Sequence, residues 1–316
     1  MKDTILEAHA RIAPRIRLTE CRYSPALSEA AGANVWLKLE NTQLSGSFKL
    51  RGVMNRLLTL APDEKGKRLV AASTGNHGAA FAHAVGELGL DGLLFLPTNV
   101  KAAKLEAIEA SGIPFELVGD DCVVTENHAH EFAESNGLVW VSPYNDPAVI
   151  AGQGTIGPEL RRQIDGFDAV LTPVGGGGLI GGIAGFFKTA DPSVEIIGCE
   201  PTASAVMAES VAAGRIVDIP SLPTLSDATA GGIEEGSITF DLCRDHVDRW
   251  ERVSEGEIAT AIRFLHLHED MIVEGGAALP VAVMLRRGAE LQGKRVVLVI
   301  TGSKIDQVVL EGILNP

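Results

Sequence analysis

Alternation is the feature that most limits how this chain can fold. Short apolar runs rich in β-branched residues or leucine occupy residues 35–39, 69–72, 92–96, 114–118, 138–141, 169–173, 195–199 and 295–300. Between most of them lie stretches with helical periodicity, among them 78–88, 102–110, 126–135 and 179–188. A strand buried on both faces reads as a continuous apolar run, and parallel neighbours need a crossover that a helix supplies. The pattern predicts an α/β protein of open, mostly parallel sheets flanked by helices. Four strand–helix units between about Leu69 and Tyr144 form a compact set of their own. The reading is therefore two domains, a larger one from 1–58 plus 146–316 and a smaller one from 59–145. A length of 316 residues accommodates both. A ligand would bind between them, at the carboxyl ends of strands.

Charge narrows the range of partners. The net charge is -14, from 41 acidic against 27 basic residues, which excludes a broad basic face for nucleic acid. A small anionic ligand stays open, because a local site need not follow the net charge. Cys21, Cys122, Cys199 and Cys243 are scattered without a CxxC pair, so neither a disulfide framework nor a metal cage is expected. No stretch approaches ~18 uninterrupted apolar residues, so no membrane span is expected, and the cytoplasm follows by default. Thr4 and Glu7 stand at capping-box spacing before Ile5, Ala8 and Ile12, which predicts an N-terminal helix capped at Thr4.

Three segments carry chemistry. In Ser45-Gly46-Ser47-Phe48-Lys49-Leu50-Arg51-Gly52, Ser45 is placed to cap a helix reaching about Leu58. Lys49 falls in its first turn, where the positive end of the helix dipole disfavours a cation and favours the neutral, nucleophilic amine. Gly175-Gly176-Gly177-Gly178 lies between the run 169–173 and a helix starting near Leu179. Consecutive glycines let backbone N–H groups converge on a phosphate at a helix N-terminus. Ala72-Ser73-Thr74-Gly75-Asn76-His77-Gly78 follows the run 69–72 and offers hydroxyls, an amide and N–H groups to a carboxylate. A rival reading exists. Residues 176–181 satisfy GxGxxG, and Glu200 ends the next strand where a ribose-binding acid would stand, as in a nicotinamide-dependent dehydrogenase.

Together these segments resemble the fold-type II, tryptophan-synthase-β-like enzymes that use pyridoxal 5'-phosphate. The branch is that of threonine/serine dehydratases and serine racemase, including members that degrade hydroxyaspartate or hydroxyectoine products. Residues 146–155 (DPAVIAGQGT) and 274–278 (EGGAA) match further family stretches, and the resemblance covers essentially the whole chain in order. It implies that Lys49 bonds the cofactor and acts as base, with Phe48 beside the ring and Asn76 toward its hydroxyl. Gly175, Gly176, Gly177, Gly178 and Leu179 would hold the phosphate, and Glu274 and Thr301 would lie at the ring. Ser73, Thr74, Asn76 and His77 would meet the substrate carboxylate, with the Gly232 backbone at the amine. A homodimer acting on a small amino acid is also implied.

Departures from the family pattern refine this expectation. Thr301-Gly302-Ser303-Lys304 stands where Ser-Gly-Gly-Asn is usual, so a neutral hydroxyl faces the ring nitrogen and the electron sink is weak. That favours α,β-elimination of a β-hydroxyl, giving a keto acid and ammonia. Thr74 replaces the second base of the racemase, which leaves racemisation as the alternative. The racemase's divalent-metal (Mg or Ca) site keeps only Glu200, with Ser204 and Val206 in place of an alanine and an aspartate. Tyr144 stands where an asparagine is common, which implies a differently shaped pocket. Threonine, serine and β-hydroxyaspartate all fit the reaction, and a second carboxylate would need a basic partner.

Overall fold

The computed structural model describes residues 1–120 and 122–315, leaving aside the side chains of 103, 122 and 287–289. One sheet has six strands in the order β1 (Cys21–Tyr23), β2 (Asn34–Lys38), β10 (Arg295–Val299), β7 (Ala169–Pro173), β8 (Glu195–Pro201), β9 (Arg249–Val253). The other has four, in the order β5 (Phe115–Leu117), β4 (Gly92–Leu96), β3 (Leu69–Ala72), β6 (Val139–Trp140). Every pairing is parallel except that of the edge strand β1 with β2.

The helices of the first half are α1 (Lys2–Ile12), α2 (Pro25–Ala31), α3 (Lys49–Leu58), α4 (Asn76–Leu88), α5 (Ala102–Ser111), α6 (Cys122–Ser135), α7 (Pro147–Gly154) and α8 (Ile156–Gln163). Those of the second half are α9 (Gly178–Ala190), α10 (Val206–Ala213), α11 (Ile238–His246), α12 (Glu255–Glu269), α13 (Gly275–Arg287) and α14 (Gln307–Leu314).

Period-two alternation puts both faces of each sheet to use. Along β10, Val296 and Leu298 enter one apolar cluster with α12 and α13, while Val297 and Val299 enter another with α8 and α9. In β3, Leu69 and Ala71 face the helix α4, and Val70 and Ala72 face α6. All eight apolar runs are strands, three with the expected bounds and five shifted at an end by one or two residues. Helix α3, expected within the larger unit, packs Leu50, Val53, Met54 and Leu57 into the cluster of the smaller sheet.

Two caps differ from expectation. Helix α1 starts at Lys2 behind Met1, so Thr4 is already inside the first turn and no side-chain cap forms. Ile5, Ala8 and Ile12 are nevertheless its buried face. Helix α3 starts at Lys49, not after Ser45, with Phe48 as its uncapped N-cap residue. The reason is a short pairing with the chain beyond β10: Ser47 bridges Gly302, and the Phe48 N–H donates to the Thr301 carbonyl at 3.1 Å. Residues 46 and 47 are thereby held out of helical geometry, and Phe48, already helical in its backbone angles, leads into the helix at Lys49.

Beneath α3 lies a buried ion cluster. Arg51, 0% exposed, reaches Glu40 at 2.7 Å and Glu159 at 2.7 Å, and Lys38 reaches Glu159 at 2.5 Å. Two cations face two carboxylates, with Thr19, Thr155 and Gln163 completing the hydrogen bonds. The cluster ties β2 and α3 to α8. Cys21, Cys199 and Cys243 are free thiols, and the Cys122 side chain lies outside the described residues. Among the described residues no helix is long and apolar enough to cross a membrane.

Candidate active site

Three strand ends and one helix start converge at the cleft between the sheets. Strand β3 opens into residues 73–75 and then α4; β7 opens into the glycine loop and α9; β10 leads to Thr301, which is stapled to the segment entering α3. This is the carboxyl-end placement expected of a ligand site in an open parallel sheet.

Lys49 is half-buried here, its Nζ donating to the Pro143 carbonyl at 2.8 Å and lying 5.4 Å from the centre of the Phe48 ring. Burial brings its pKa down to about 8, against the pull of Glu126 and Glu274, which favour the cation. About a tenth of the amine is then neutral at pH 7, far more than for an exposed lysine.

The loop after β3 is held by its own residues. Ser73 Oγ accepts from the Gly75 N–H at 3.0 Å, and Thr74 is half-buried beside it. His77 is buried, and its Nε2 lies 2.9 Å from the Val141 carbonyl, so Nε2 carries the proton and Nδ1 is left as an acceptor without a partner. Burial, with Lys49 nearby, holds this ring neutral by lowering its pKa to about 3. His77 thus anchors the start of α4. The unpaired N–H groups of that first turn remain available for a carboxylate.

Asn76, 8% exposed, joins the two halves of the cleft: its Nδ2 donates to Glu274 Oε2 at 2.6 Å, and its Oδ1 has no partner. Thr301 Oγ1 bonds the other Glu274 oxygen at 3.2 Å. Glu274 sits at the start of α13 with its pKa pushed up to about 7 by burial, the bonds from Asn76 and Thr301 opposing the shift and nearby Asp227 adding to it.

The glycine loop shows why side chains are excluded. Gly177 has φ +83°, the left-handed conformation that glycine adopts without cost, and it is the N-cap residue of α9. A Cβ on Gly176 would lie 2.4 Å from Cγ of the Tyr144 ring. Tyr144 is therefore packed on the loop, and its Oη accepts from the Glu234 N–H at 3.0 Å. Gly175 lies against the Thr229 backbone, which brings the exposed Gly232 of the same loop to this end of the cleft.

The residues fit pyridoxal phosphate: a glycine-lined helix N-terminus for the phosphate, an amine of depressed pKa for the aldehyde, and a buried amide with a free oxygen between them. Gly176→Ala is expected to weaken cofactor binding about 10- to 100-fold, corresponding to the ~1–3 kcal/mol that overpacking costs. Titration of the apoprotein with pyridoxal phosphate measures it, and an unchanged Kd would remove Tyr144 packing as the constraint.

Glu200 is buried, and its two oxygens accept from the N–H groups of Met207 at 3.0 Å and Ala208 at 2.8 Å. It caps α10. That engagement takes away the ribose-binding acid that the dinucleotide reading requires. Ser204 bonds Ser221 at 2.7 Å, and among the described residues no group of three acidic, histidine or cysteine side chains is placed to hold a metal.

Glu126, Glu234 and Asp227 were not singled out from the sequence, since a glutamate on an amphipathic helix or in a loop carries the same local signal as a solvated one. Arg51 was only part of a motif. Nothing local announces that it is buried.

Comparison with known proteins bears directly on this site. A family model described as pyridoxal-phosphate dependent enzyme matches residues 12–302. An L-threonine ammonia-lyase of Thermotoga maritima is 36% identical over 99% of this chain and 78% of its own length. A catabolic L-threonine dehydratase of Escherichia coli is 36% identical over 96% of this chain and 93% of its own. The structure of maize serine racemase superposes with a TM-score of 0.92 at 30% identity, covering 98% of this chain and 95% of that one.

Proposed function

We propose, from the premise that this chain belongs to the pyridoxal-phosphate dependent enzymes, the following assignment of reaction and residues. The protein is a pyridoxal-phosphate-dependent lyase of the threonine dehydratase (ammonia-lyase) type. It converts a small β-hydroxy-α-amino acid to a keto acid and ammonia. What supports the residue assignment is the meeting of a partly neutral Lys49 amine with the glycine loop and the first turn of α4 in one cleft.

When bound, the cofactor supplies an electron sink that makes the α-proton of the amino acid removable. Gly175–Leu179 N–H groups hold its phosphate, and Phe48, Asn76, Glu274 and Thr301 hold its ring. Lys49 Nζ would hold the cofactor's aldehyde carbon and, as a free neutral amine, would take the α-proton of the substrate as general base. N–H groups of residues 74–77, with Ser73, Thr74 and Asn76 side chains, orient the substrate carboxylate, and the Gly232 backbone meets its amine. The Thr301 hydroxyl donates to Glu274 when that carboxyl is ionised; a protonated Glu274 donates to Thr301 instead and frees its hydrogen for the cleft. The β-hydroxyl leaves as water, and the released enamine tautomerises to an imine that a water molecule hydrolyses, giving the keto oxygen and ammonia.

The smaller unit, residues 59–145, closes on the larger, 1–58 plus 146–316, as substrate binds. Asn76 to Glu274 is the contact this closure keeps. A homodimeric state and a cytoplasmic location belong to the same reading. The free thiols accord with a reducing compartment, and light scattering reads the assembly.

Incubating the purified holoenzyme with hydroxy amino acids tests the reaction: keto acid and ammonium should appear in equal amounts. Serine racemase is the alternative on this scaffold, favoured by the maize structure. Interconversion of serine enantiomers without ammonia, seen by chiral chromatography, would establish it instead.

A further inference from the structure

A run of glycines opens a cradle for a phosphate, but it also leaves the backbone loose. The peptide joining Gly176 to Gly177 has no Cβ on either side, so little steric resistance opposes its turning over. In one orientation its N–H can face an anion. In the other its carbonyl takes that place and repels the same anion. Gly177, the N-cap residue of α9, spends its own carbonyl on the Gly181 N–H at 2.8 Å. The Gly176 carbonyl lies one residue before the cap and has no place in the ladder of the helix.

A side chain of α11 engages that carbonyl. Thr239 Oγ1 donates to the Gly176 carbonyl at 2.6 Å. The hydroxyl has a single hydrogen, so its 2.8 Å contact with Ser237 Oγ runs in one direction only: Ser237 donates and Thr239 accepts. Both residues are buried, and Ser237 is the N-cap residue of α11. The relay from Ser237 through Thr239 to Gly176 thus has a fixed sense, and each bond polarises the next. The wall around it is closed. A Cβ on Gly177 would lie 2.7 Å from Met207 Cε, 3.0 Å from Thr239 Cβ and 3.1 Å from Cys243 Sγ. The start of α11 is anchored in turn, since the Ile238 N–H donates to Asn145 Oδ1 at 3.1 Å, next to the Tyr144 that packs on Gly176.

We propose that Thr239 is a positioning residue for the cofactor phosphate: by holding the Gly176 carbonyl toward α11, it keeps the Gly176–Gly177 peptide turned with its N–H available to the phosphate. The proposal rests on the assignment of Gly175–Leu179 to the phosphate and names the side chain that keeps this loop in its binding orientation. Thr239 touches neither cofactor nor substrate in this scheme. It acts through one peptide group, and the elimination chemistry does not use it.

Binding to the full-length protein, stripped of cofactor, decides the matter when pyridoxal phosphate is titrated beside pyridoxal, which has the same ring and aldehyde but no phosphate. Thr239→Val keeps the shape of the side chain and removes the donor. It should weaken pyridoxal phosphate about 10- to 100-fold, the size of one charge-assisted hydrogen bond, and pyridoxal by less than about threefold. Thr239→Ser restores the hydroxyl and should bring pyridoxal phosphate back to within about threefold of the wild type. A threonine that only supports the fold would move both ligands alike or neither, so equal losses, or no loss, in Thr239→Val would overturn its role. Should that variant not fold, Ser237→Ala removes the donor to Thr239 instead. The loss should again fall on pyridoxal phosphate and spare pyridoxal, at about two- to fivefold, and an equal loss or none would overturn the relay. Wild-type protein that binds pyridoxal as tightly as pyridoxal phosphate would overturn the glycine loop as the phosphate site, and this inference with it.

Discussion

Lys49→Ala should abolish the visible absorbance of the bound cofactor and lower ammonia release by about 10³-fold or more, since one side chain is both covalent anchor and general base. The variant should still fold, because Lys49 contributes one hydrogen bond, to the Pro143 carbonyl, and no ion pair. Its circular dichroism should match the wild type. A coloured, active Lys49→Ala protein would sink the assignment. The pH behaviour gives a second measure. With its pKa brought to about 8, Lys49 should bond added pyridoxal phosphate at a rate that climbs with pH and levels off above about 8, where an exposed lysine would climb on toward 10.5. Linkage has the same origin. Between about 8 and 10.5 the unfolded chain holds the Lys49 proton and the folded one does not, so this residue's contribution to apoprotein stability improves as pH rises through that window. Below it the buried amine is destabilising, and Lys49→Ala apoprotein should be the more stable of the two at pH 7.

Arg51→Met should be strongly destabilising. It would leave Glu40 and Glu159 buried with Lys38 as their only cation, at a cost of ~3–5 kcal/mol. For a chain of this size that is a fall in Tm on the order of 10 °C by calorimetry. Arg51→Lys keeps the charge but cannot bridge two carboxylates at once, so it should fall between. Replacing Arg51, Lys38, Glu40 and Glu159 together by apolar residues of similar volume should recover much of the loss, because a buried ion cluster is costly to break but not to replace. If Arg51→Met melts within a degree or two of the wild type, the cluster has no such weight.

Most of the strands that could be read from the sequence are buried on both faces, where composition alone enforces an apolar run; the edge strand Phe115–Leu117 is the exception. The two that could not, Cys21–Tyr23 and Arg249–Val253, are the edges of the large sheet. In the second, Arg249, Glu251 and Arg252 interrupt the apolar pattern, Glu251 being buried and paired with Arg286 at 2.9 Å, and such a run looks like loop. The helix caps failed for a different reason. Ser45 has the chemistry of a cap, but a partner 257 residues on, Ser303 bonding Gly46, sets the backbone there. The glycine loop and the Lys49 segment were legible because their chemistry demands unusual local composition. Glu126 and Asp227 were not, since the charges they bring to Lys49 and Glu274 act only once distant segments are folded together.

The position of β10 has a consequence for how the molecule assembles. This strand comes near the end of the chain yet lies between β2, from its beginning, and β7, from its middle. The four-stranded sheet is drawn from one continuous stretch and can form as soon as that stretch has left the ribosome. The six-stranded sheet must wait, its first two strands tethered across some 250 residues until the last one arrives to join them. Cofactor capture, which needs Lys49 beside Thr301, therefore belongs to the final moments of folding, and a nascent chain stalled before residue 295 would own every named binding residue except Thr301 and no means of aligning them.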